Sequence, residues 1–208
     1  MPYQSSEKTR QKKDAKRAAM MQAAVKTFAE KGYQAATIRD IVQEADVSVG
    51  TFYFYFPDKE TLFIHLFDET ADFLLKTLQQ AANSRVSFPE QIRAALKAYV
   101  SIAIYEPAVV QLLLIAGVGA IPTLDDKRTA FRESMVLLWE KPVKTALEKN
   151  MLAAQNPRLT AVALSGAIDA AILNLIARAE RAEEAPSFIR ELSRFVLRAA
   201  AYLGDPGE

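Results

Sequence analysis

An all-α fold of about nine helices is predicted for this 208-residue chain. Three observations predict it. Apolar residues recur at i, i+4 and i+7, the stripe of a helix, over several long segments. Ser, Thr and Asp stand before these stripes and Gly or Pro at their ends, where helices start and stop. No segment alternates apolar and polar residues as a half-buried strand does. Half of the residues are hydrophobic and a quarter charged, enough apolar material for a substantial core in one domain or two small ones. With no cysteine, disulfide and thiol chemistry are excluded, and the single histidine, His65, cannot build a multi-histidine metal site. The first 17 residues lack an apolar signal region, and no unbroken apolar run of membrane length is found. A cytoplasmic protein is expected.

The elements follow in order. The first helix is expected over about 8–31, where Met21, Val25 and Phe28 form a stripe with Ala18, Ala24 and Ala29 beside it. Gly32 suits the position just past its end, with Tyr33 as the apolar contact beyond. Thr37 opens a short helix carrying Ile38, Ile41 and Val42, and Asp40 completes a T-x-x-D capping pattern. Asp46-Val47 makes a break, and Ser48 caps a second short helix running through Tyr55. Asp58 caps a longer helix toward residue 82, with Leu62, Leu66, Phe73 and Leu74 at apolar positions. After a loop at 83–87, Pro89 sits at an N1-like position of a helix reaching Tyr105, and Pro107 begins another through Ala116. Gly117, Gly119 and Pro122 interrupt the chain. A segment over 123–153 follows, which Pro142 is expected to kink or split. Asn156-Pro157 opens a helix toward Glu183. Ala185-Pro186 opens the last, toward Leu203, and the tail from Gly204 is expected to fray.

Two short helices joined by a tight turn read as a helix-turn-helix, whose second helix enters the DNA major groove. Charge supports this. Residues 1–59 hold ten Lys/Arg against seven Asp/Glu, a net of +3, whereas the remainder is net negative. Lys8, Arg10, Lys12, Lys13, Lys16 and Arg17 fall within ten positions, against Asp14 alone. Such an arm attracts phosphate without reading sequence. Phe52 and Phe56, at i and i+4, are expected to face the core, leaving Tyr53 and Tyr55 outward. Gly50 lowers helix propensity by about 1 kcal/mol relative to alanine, a cost explained either by close approach to DNA or by tight helix packing. Arg39 lies on the polar side of its helix, where it can bond guanine or pair with Asp40 or Glu44.

Residues Ala23-Ala24, Thr27-Phe28, Gly32-Tyr33, Thr37, Ile41-Val42, Ala45 to Ser48, Gly50-Thr51, Tyr53, Tyr55-Phe56, Lys59-Glu60 and Leu62 stand at fixed spacing over about fifty positions. In them the chain resembles the tetracycline-repressor (TetR) type of transcriptional regulator. It departs from the pattern at Asp46, where the turn usually has glycine, and at Phe54, where tyrosine is common. The resemblance implies a DNA-binding domain over 1–57 and a C-terminal ligand-binding and dimerisation domain over 58–208. It implies a DNA surface of Thr37, Arg39, Ser48, Val49, Gly50, Thr51, Tyr53, Tyr55 and Lys59, with Arg39 and Val49 toward bases. It also implies a pseudo-palindromic double-stranded operator and a homodimer through the last two helices. Ala163, Gly166, Ala167, Ala170 and Ala171 would face Phe188, Leu192, Phe195, Val196 and Ala199 there.

For the C-terminal region the resemblance implies a small inducer. The expected lining is apolar and aromatic: Tyr99, Tyr105, Leu113, Phe131, Met135, Leu138 and Trp139, with Asn174 or Asp169 as a polar contact. A hydrophobic effector is therefore expected, with release from DNA as its effect; an activator or a ligand-independent regulator is the alternative. Glu106, Asp125, Asp126, Glu133 and Glu140 offer carboxylates, but no nucleophile–base set, metal spacing or phosphate loop accompanies them. Charge pairing with Lys141, Lys144, Arg128 and Arg132 explains them more simply. No enzyme, cofactor, metal or membrane partner is expected.

Overall fold

The computed structural model describes residues 7–178 and 181–205, the side chains of 7–10 and 181 excepted. Among these residues nine helices follow one another: α1 Glu7–Ala35, α2 Ile38–Glu44, α3 Val49–Tyr55, α4 Lys59–Asn83, α5 Phe88–Tyr105, α6 Pro107–Leu114, α7 Leu124–Glu148, α8 Pro157–Ile176 and α9 Arg181–Ala199. The β-structure among them is one isolated antiparallel bridge, Leu152 to Tyr202, which ties the chain after α7 to the chain after α9.

Local chemistry sets most boundaries. Asp58, Ser87 and Asn156 each accept a hydrogen bond from the backbone N–H three residues on, opening α4, α5 and α8. Gly32 takes φ 73° and breaks α1 before its last residues, a conformation glycine adopts without a Cβ penalty. Beyond the break, Tyr33 stands edge-on to Phe63 of α4 at 5.1 Å, and Phe28 meets the same ring at 4.9 Å. These three rings join α1 to α4. Lys59, at the start of α4, donates to the carbonyls of Tyr33 and Ala36, both at 2.8 Å, and so holds the same joint from the polar side.

Helices α1–α3 form the head, resting on α4 and α6. Antiparallel α5 returns along α4, α7 pairs with α8, and α9 packs on α5. The core runs from Met20, Phe28, Ile41, Phe52 and Phe56 in the head through Leu62, Phe67 and Leu74 to Tyr99, Met135, Trp139 and Ile172.

Of the two outcomes expected at Pro142, a split is excluded, because α7 is one element across it. The structure corrects four other expectations. Helix α8 ends at Ile176, short of Glu183, and residues 179–180 of that stretch lie outside the described residues. Helix α9 begins at Arg181, ahead of Pro186, which falls inside it; a proline just past the first turn removes only one ladder bond. An Arg178 guanidinium bridges the two ends, donating to Asn174 Oδ1 at 2.9 Å and Glu184 Oε2 at 2.6 Å. Phe73 is exposed, whereas Leu62, Leu66 and Leu74 are buried. Finally, α8 has the length and mean hydropathy of a membrane-crossing helix, which Arg158, Ser165 and Asp169 conceal in a search for unbroken runs. Of the expected frayed tail, residues 206–208 lie outside the described residues.

Candidate nucleic-acid interface and the C-terminal cavities

The head presents one polar face, built by caps. Thr37 Oγ1 accepts from Asp40 N–H at 3.1 Å, and Asp40 Oδ2 accepts from Thr37 N–H at 2.9 Å, a complete capping box. A hydrogen bond from Lys31 and those from Thr37 hold the Asp40 carboxyl down at about 2. The turn passes through Asp46 at φ 51°, the left-handed conformation that glycine would otherwise supply. Ser48 Oγ accepts from Thr51 N–H at 3.1 Å and starts α3.

As anticipated, Phe52 and Phe56 are buried, so the opposite face of α3 looks outward. Val49, Gly50, Tyr53 and Phe54 are exposed on it, Tyr53 by 55%. Gly50 is not demanded by packing. A Cβ built there would meet nothing nearer than Ser48 Oγ at 3.9 Å. Of its two explanations, tight internal packing is removed.

Arg39 is exposed, and the carboxylates it was weighed against are occupied elsewhere: Asp40 pairs with Lys31 at 2.9 Å and Glu44 with Lys26 at 2.7 Å. Lys12, Lys13 and Lys16 project from α1 beside α3. With Ser48, Gly50, Thr51, Phe54 and Tyr55 they line a cleft of about 460 Å³. The ammonium of Lys13 stands 5.2 Å from the Phe54 ring centre. Phe54 was not among the expected contacts; its neighbours on the aromatic run drew attention to the buried face instead. The remaining arm residues are not equivalent. Arg17 is bonded to Glu69 at 2.8 Å, and the side chains of Lys8 and Arg10 lie outside the described residues.

Two expected phosphate donors are placed otherwise. The Tyr55 hydroxyl donates to the Lys13 carbonyl at 2.9 Å, anchoring the basic stretch of α1 on α3. The Lys59 ammonium is turned inward onto backbone carbonyls and lies 4.4 Å from the Tyr33 ring centre. Burial lowers its pKa. Both side chains build the surface; their polar atoms are already engaged.

The expected effector lining is dispersed. Tyr99, Met135 and Trp139 are fully buried in the core. Leu113 and Phe131 line a small cavity of about 160 Å³ with Arg128, Arg132 and Asp169. There the Tyr99 hydroxyl donates to Asp169 Oδ1 at 2.9 Å, and burial pushes the Asp169 carboxyl up to about 6. Arg128 is buried, donating to the carbonyls of Leu113 and Ala116 at the end of α6. Only Leu138 lines the larger groove of about 550 Å³ between α4, α5 and α7, with Leu75, Ala82, Leu137 and Pro142 along it and Gln79, Gln91 and Lys141 as polar members. Tyr105 is 80% exposed, and exposed Asn174 is occupied by Arg178; neither lines the two cavities above. Leu75, Leu137 and Lys141 carried no sequence signal, because their common groove exists only once α4 and α7 are packed.

Of the carboxylates weighed for catalysis, Glu133 and Glu140 are in ion pairs, with Lys144 as expected but otherwise with Arg158 in place of Lys141, Arg128 and Arg132. Glu133 and Glu140 both bind Arg158 of α8, and Glu140 also binds Lys144 at 2.6 Å. No group of three His, Asp or Glu able to hold a metal occurs among the described residues.

Residues 20–66 match the model of the bacterial regulatory proteins, tetR family. Among relatives, an uncharacterised HTH-type transcriptional regulator, YuxN, of Bacillus subtilis is 31% identical over 77 residues, 35% of this chain and 26% of that protein. The fatty acid metabolism regulator protein of the same species is 28% identical over 83 residues, 40% of this chain and 43% of that one. The chain thus spans less than half the length of these relatives. Solved structures extend the likeness of fold. A bacterial regulatory protein in the tetR family from Rhodococcus RHA1 has a TM-score of 0.74 at 18% identity, covering 91% of this chain and 98% of that one. FadR from Bacillus subtilis, solved in complex with stearoyl-CoA, has a TM-score of 0.73 at 18% identity, covering 85% and 97%.

Proposed function

We propose that the chain, whose residues 20–66 match the model of the bacterial regulatory proteins, tetR family, is a DNA-binding transcriptional regulator and not an enzyme, a cytoplasmic repressor released from its operator by a hydrophobic small molecule. The observation that carries the DNA-binding part is the outward face of α3. Val49, Gly50 and Tyr53 are exposed there, an unpaired Arg39 stands on α2, and Lys12, Lys13 and Lys16 flank it. Arg39 and Val49 read bases, Thr37, Ser48, Thr51 and Tyr53 position the backbone, and the lysines supply salt-sensitive attraction. Tyr55 and Lys59 act by holding α1 and α4 in place. The head is taken as residues 1–57 and the remainder as the effector and dimer domain.

The effector is assigned to the groove between α4, α5 and α7. Its apolar length suits an acyl chain, with Lys141 available to an anionic end. That the stearoyl-CoA-bound FadR shares the fold supports this class of ligand. Helix α4 links groove to head, since it begins at the Lys59 joint and ends at the groove. Binding then shifts the population toward a head separation that no longer matches DNA, with a coupling of about 1–3 kcal/mol.

The dimer is assigned to α8 and α9. Leu159, Val162, Ala163 and Gly166 of α8 and Phe195 and Ala199 of α9 leave an apolar surface uncovered. Gly166 has no neighbour within 4 Å to require a glycine, which suits close approach by a second copy.

A gel-shift with the gene's own upstream DNA tests the reading. Arg39→Ala should weaken operator binding by about 1–3 kcal/mol and Tyr53→Ala by about 1 kcal/mol. Stearoyl-CoA should release the unmutated complex. Variants that bind as tightly as the wild type would place the DNA surface elsewhere.

A further inference from the structure

A second groove, of about 390 Å³, lies between α5 and α9 on the far side of the molecule from the reading head. Helix α4, 25 residues or about 37 Å long at the rise of an α-helix, runs from the head to the α4–α5 loop where the groove begins. Its lining concentrates positive charge. Arg93 and Lys97 stand at i and i+4 on α5, Arg190 and Arg194 at i and i+4 on α9, and Arg85 joins them from the α4–α5 loop. Glu90 is the one acidic residue of the lining among the described residues. Like charges at that spacing disfavour a helix, and the Arg190/Arg194 pair of α9 carries that cost. Glu191 reaches Arg194 at 3.5 Å and Arg190 at 4.0 Å, from outside the lining, and it is a long contact for both.

A second observation is independent of charge. Ser193, 3% exposed, lies in the lining, and its buried Oγ has no hydrogen-bond partner. A buried hydroxyl without a partner is rare and costly unless something satisfies it. Lys97, Arg190 and Arg194 line the same groove as this unsatisfied hydroxyl, the donor set that phosphate oxygens take. The surface is open to solvent in the dimer proposed above. By helical spacing Phe195 and Ala199 lie roughly half a turn around α9 from Arg190, Ser193 and Arg194.

We propose that the α5–α9 groove binds a phosphorylated small molecule carrying at least two phosphate groups, through Lys97, Arg190, Arg194 and the hydroxyl of Ser193. This site is separate from the apolar groove and from the DNA face, and it does not depend on either assignment.

Calorimetric titration of the intact protein with inorganic pyrophosphate tests it. The arm variant Lys12→Ala/Lys13→Ala serves as control, because the head also attracts anions. The arm variant should bind one pyrophosphate per protomer, and the wild type should show that same site. Lys97→Ala/Arg194→Ala should lose at least about tenfold in affinity, and Ser193→Ala about threefold. Both keep the helical circular dichroism of the wild type, since Lys97 is exposed and Ser→Ala preserves packing. Inorganic sulfate at equal concentration should not displace pyrophosphate; a nucleoside diphosphate should. Equal affinity in the wild type and either groove variant overturns the proposal, as does loss of binding in the arm variant. Displacement of pyrophosphate from the arm variant by unrelated double-stranded DNA would assign the groove to nucleic acid instead.

Discussion

Gly50 and Asp46 show what single residues contribute to the head. Space around Gly50 is open, so Gly50→Ala should stabilise the free protein by up to about 1 kcal/mol, the helix-propensity difference. The same methyl would stand between α3 and DNA and weaken operator binding. Urea denaturation and gel-shift should therefore move in opposite directions; a parallel change would sink the contact role of Gly50. At Asp46 the positive φ matters more than the side chain's charge. Asp46→Ala should cost about 1 kcal/mol, because alanine lacks the local hydrogen bonding that makes aspartate tolerant there, while Asp46→Gly should be near neutral. Chemical denaturation of the pair checks this, and equal losses would point to the carboxylate itself. Both residues were singled out from sequence, one for a propensity loss and one for a missing glycine. By contrast, the engagements of Tyr55 with the Lys13 carbonyl and of Lys59 with the end of α1 join residues 42 and 26 positions apart, where spacing has no voice.

Between elements, the α5–α8 contact places a partly buried carboxylate beside the core. The Tyr99 hydroxyl donates to Asp169, but burial outweighs this bond and the nearby Arg132, raising the Asp169 pKa from 3.8 to about 6. The folded chain thus holds that proton more tightly than the unfolded chain. Between those two values stability falls as pH rises, and above about 6 the penalty of charged Asp169 is fully present. Asp169→Asn keeps an acceptor for Tyr99 and removes the charge. It should raise the melting temperature at about pH 8 and lose that advantage toward about pH 4. A gain independent of pH would mean that burial of the charge is not the cause. Helix starts were legible wherever Thr, Ser, Asp or Asn capped them. The start of α9 was not, because Pro186 suggested an N-terminus that the packing of α9 on α5 carries back to Arg181.

For the whole molecule the assignment of α8 and α9 to a dimer has a direct consequence. Phe195, 51% exposed, stands at the centre of the uncovered face, so Phe195→Glu should weaken self-association by at least about tenfold. Sedimentation at several concentrations reads this, and operator affinity should fall with it, since only a dimer spans two half-sites. An unaltered association constant would move the interface elsewhere. The head was readable residue by residue because its signals are local: caps three residues from their partners, apolar positions one helical turn apart, a glycine or its substitute in a turn. Those rules act along the backbone and carry the all-α fold, the helix-turn-helix and the division of α3 into a buried and an outward face. The cavities follow a different physics. Whether Tyr99 and Trp139 line a pocket or fill the core depends on how α4, α5, α7 and α8 settle against one another. Close packing leaves space only where large side chains of distant segments fail to interdigitate. That failure occurs beside Leu75, Leu137 and Leu138 and between the cations of α5 and α9, and folding alone brings those residues together.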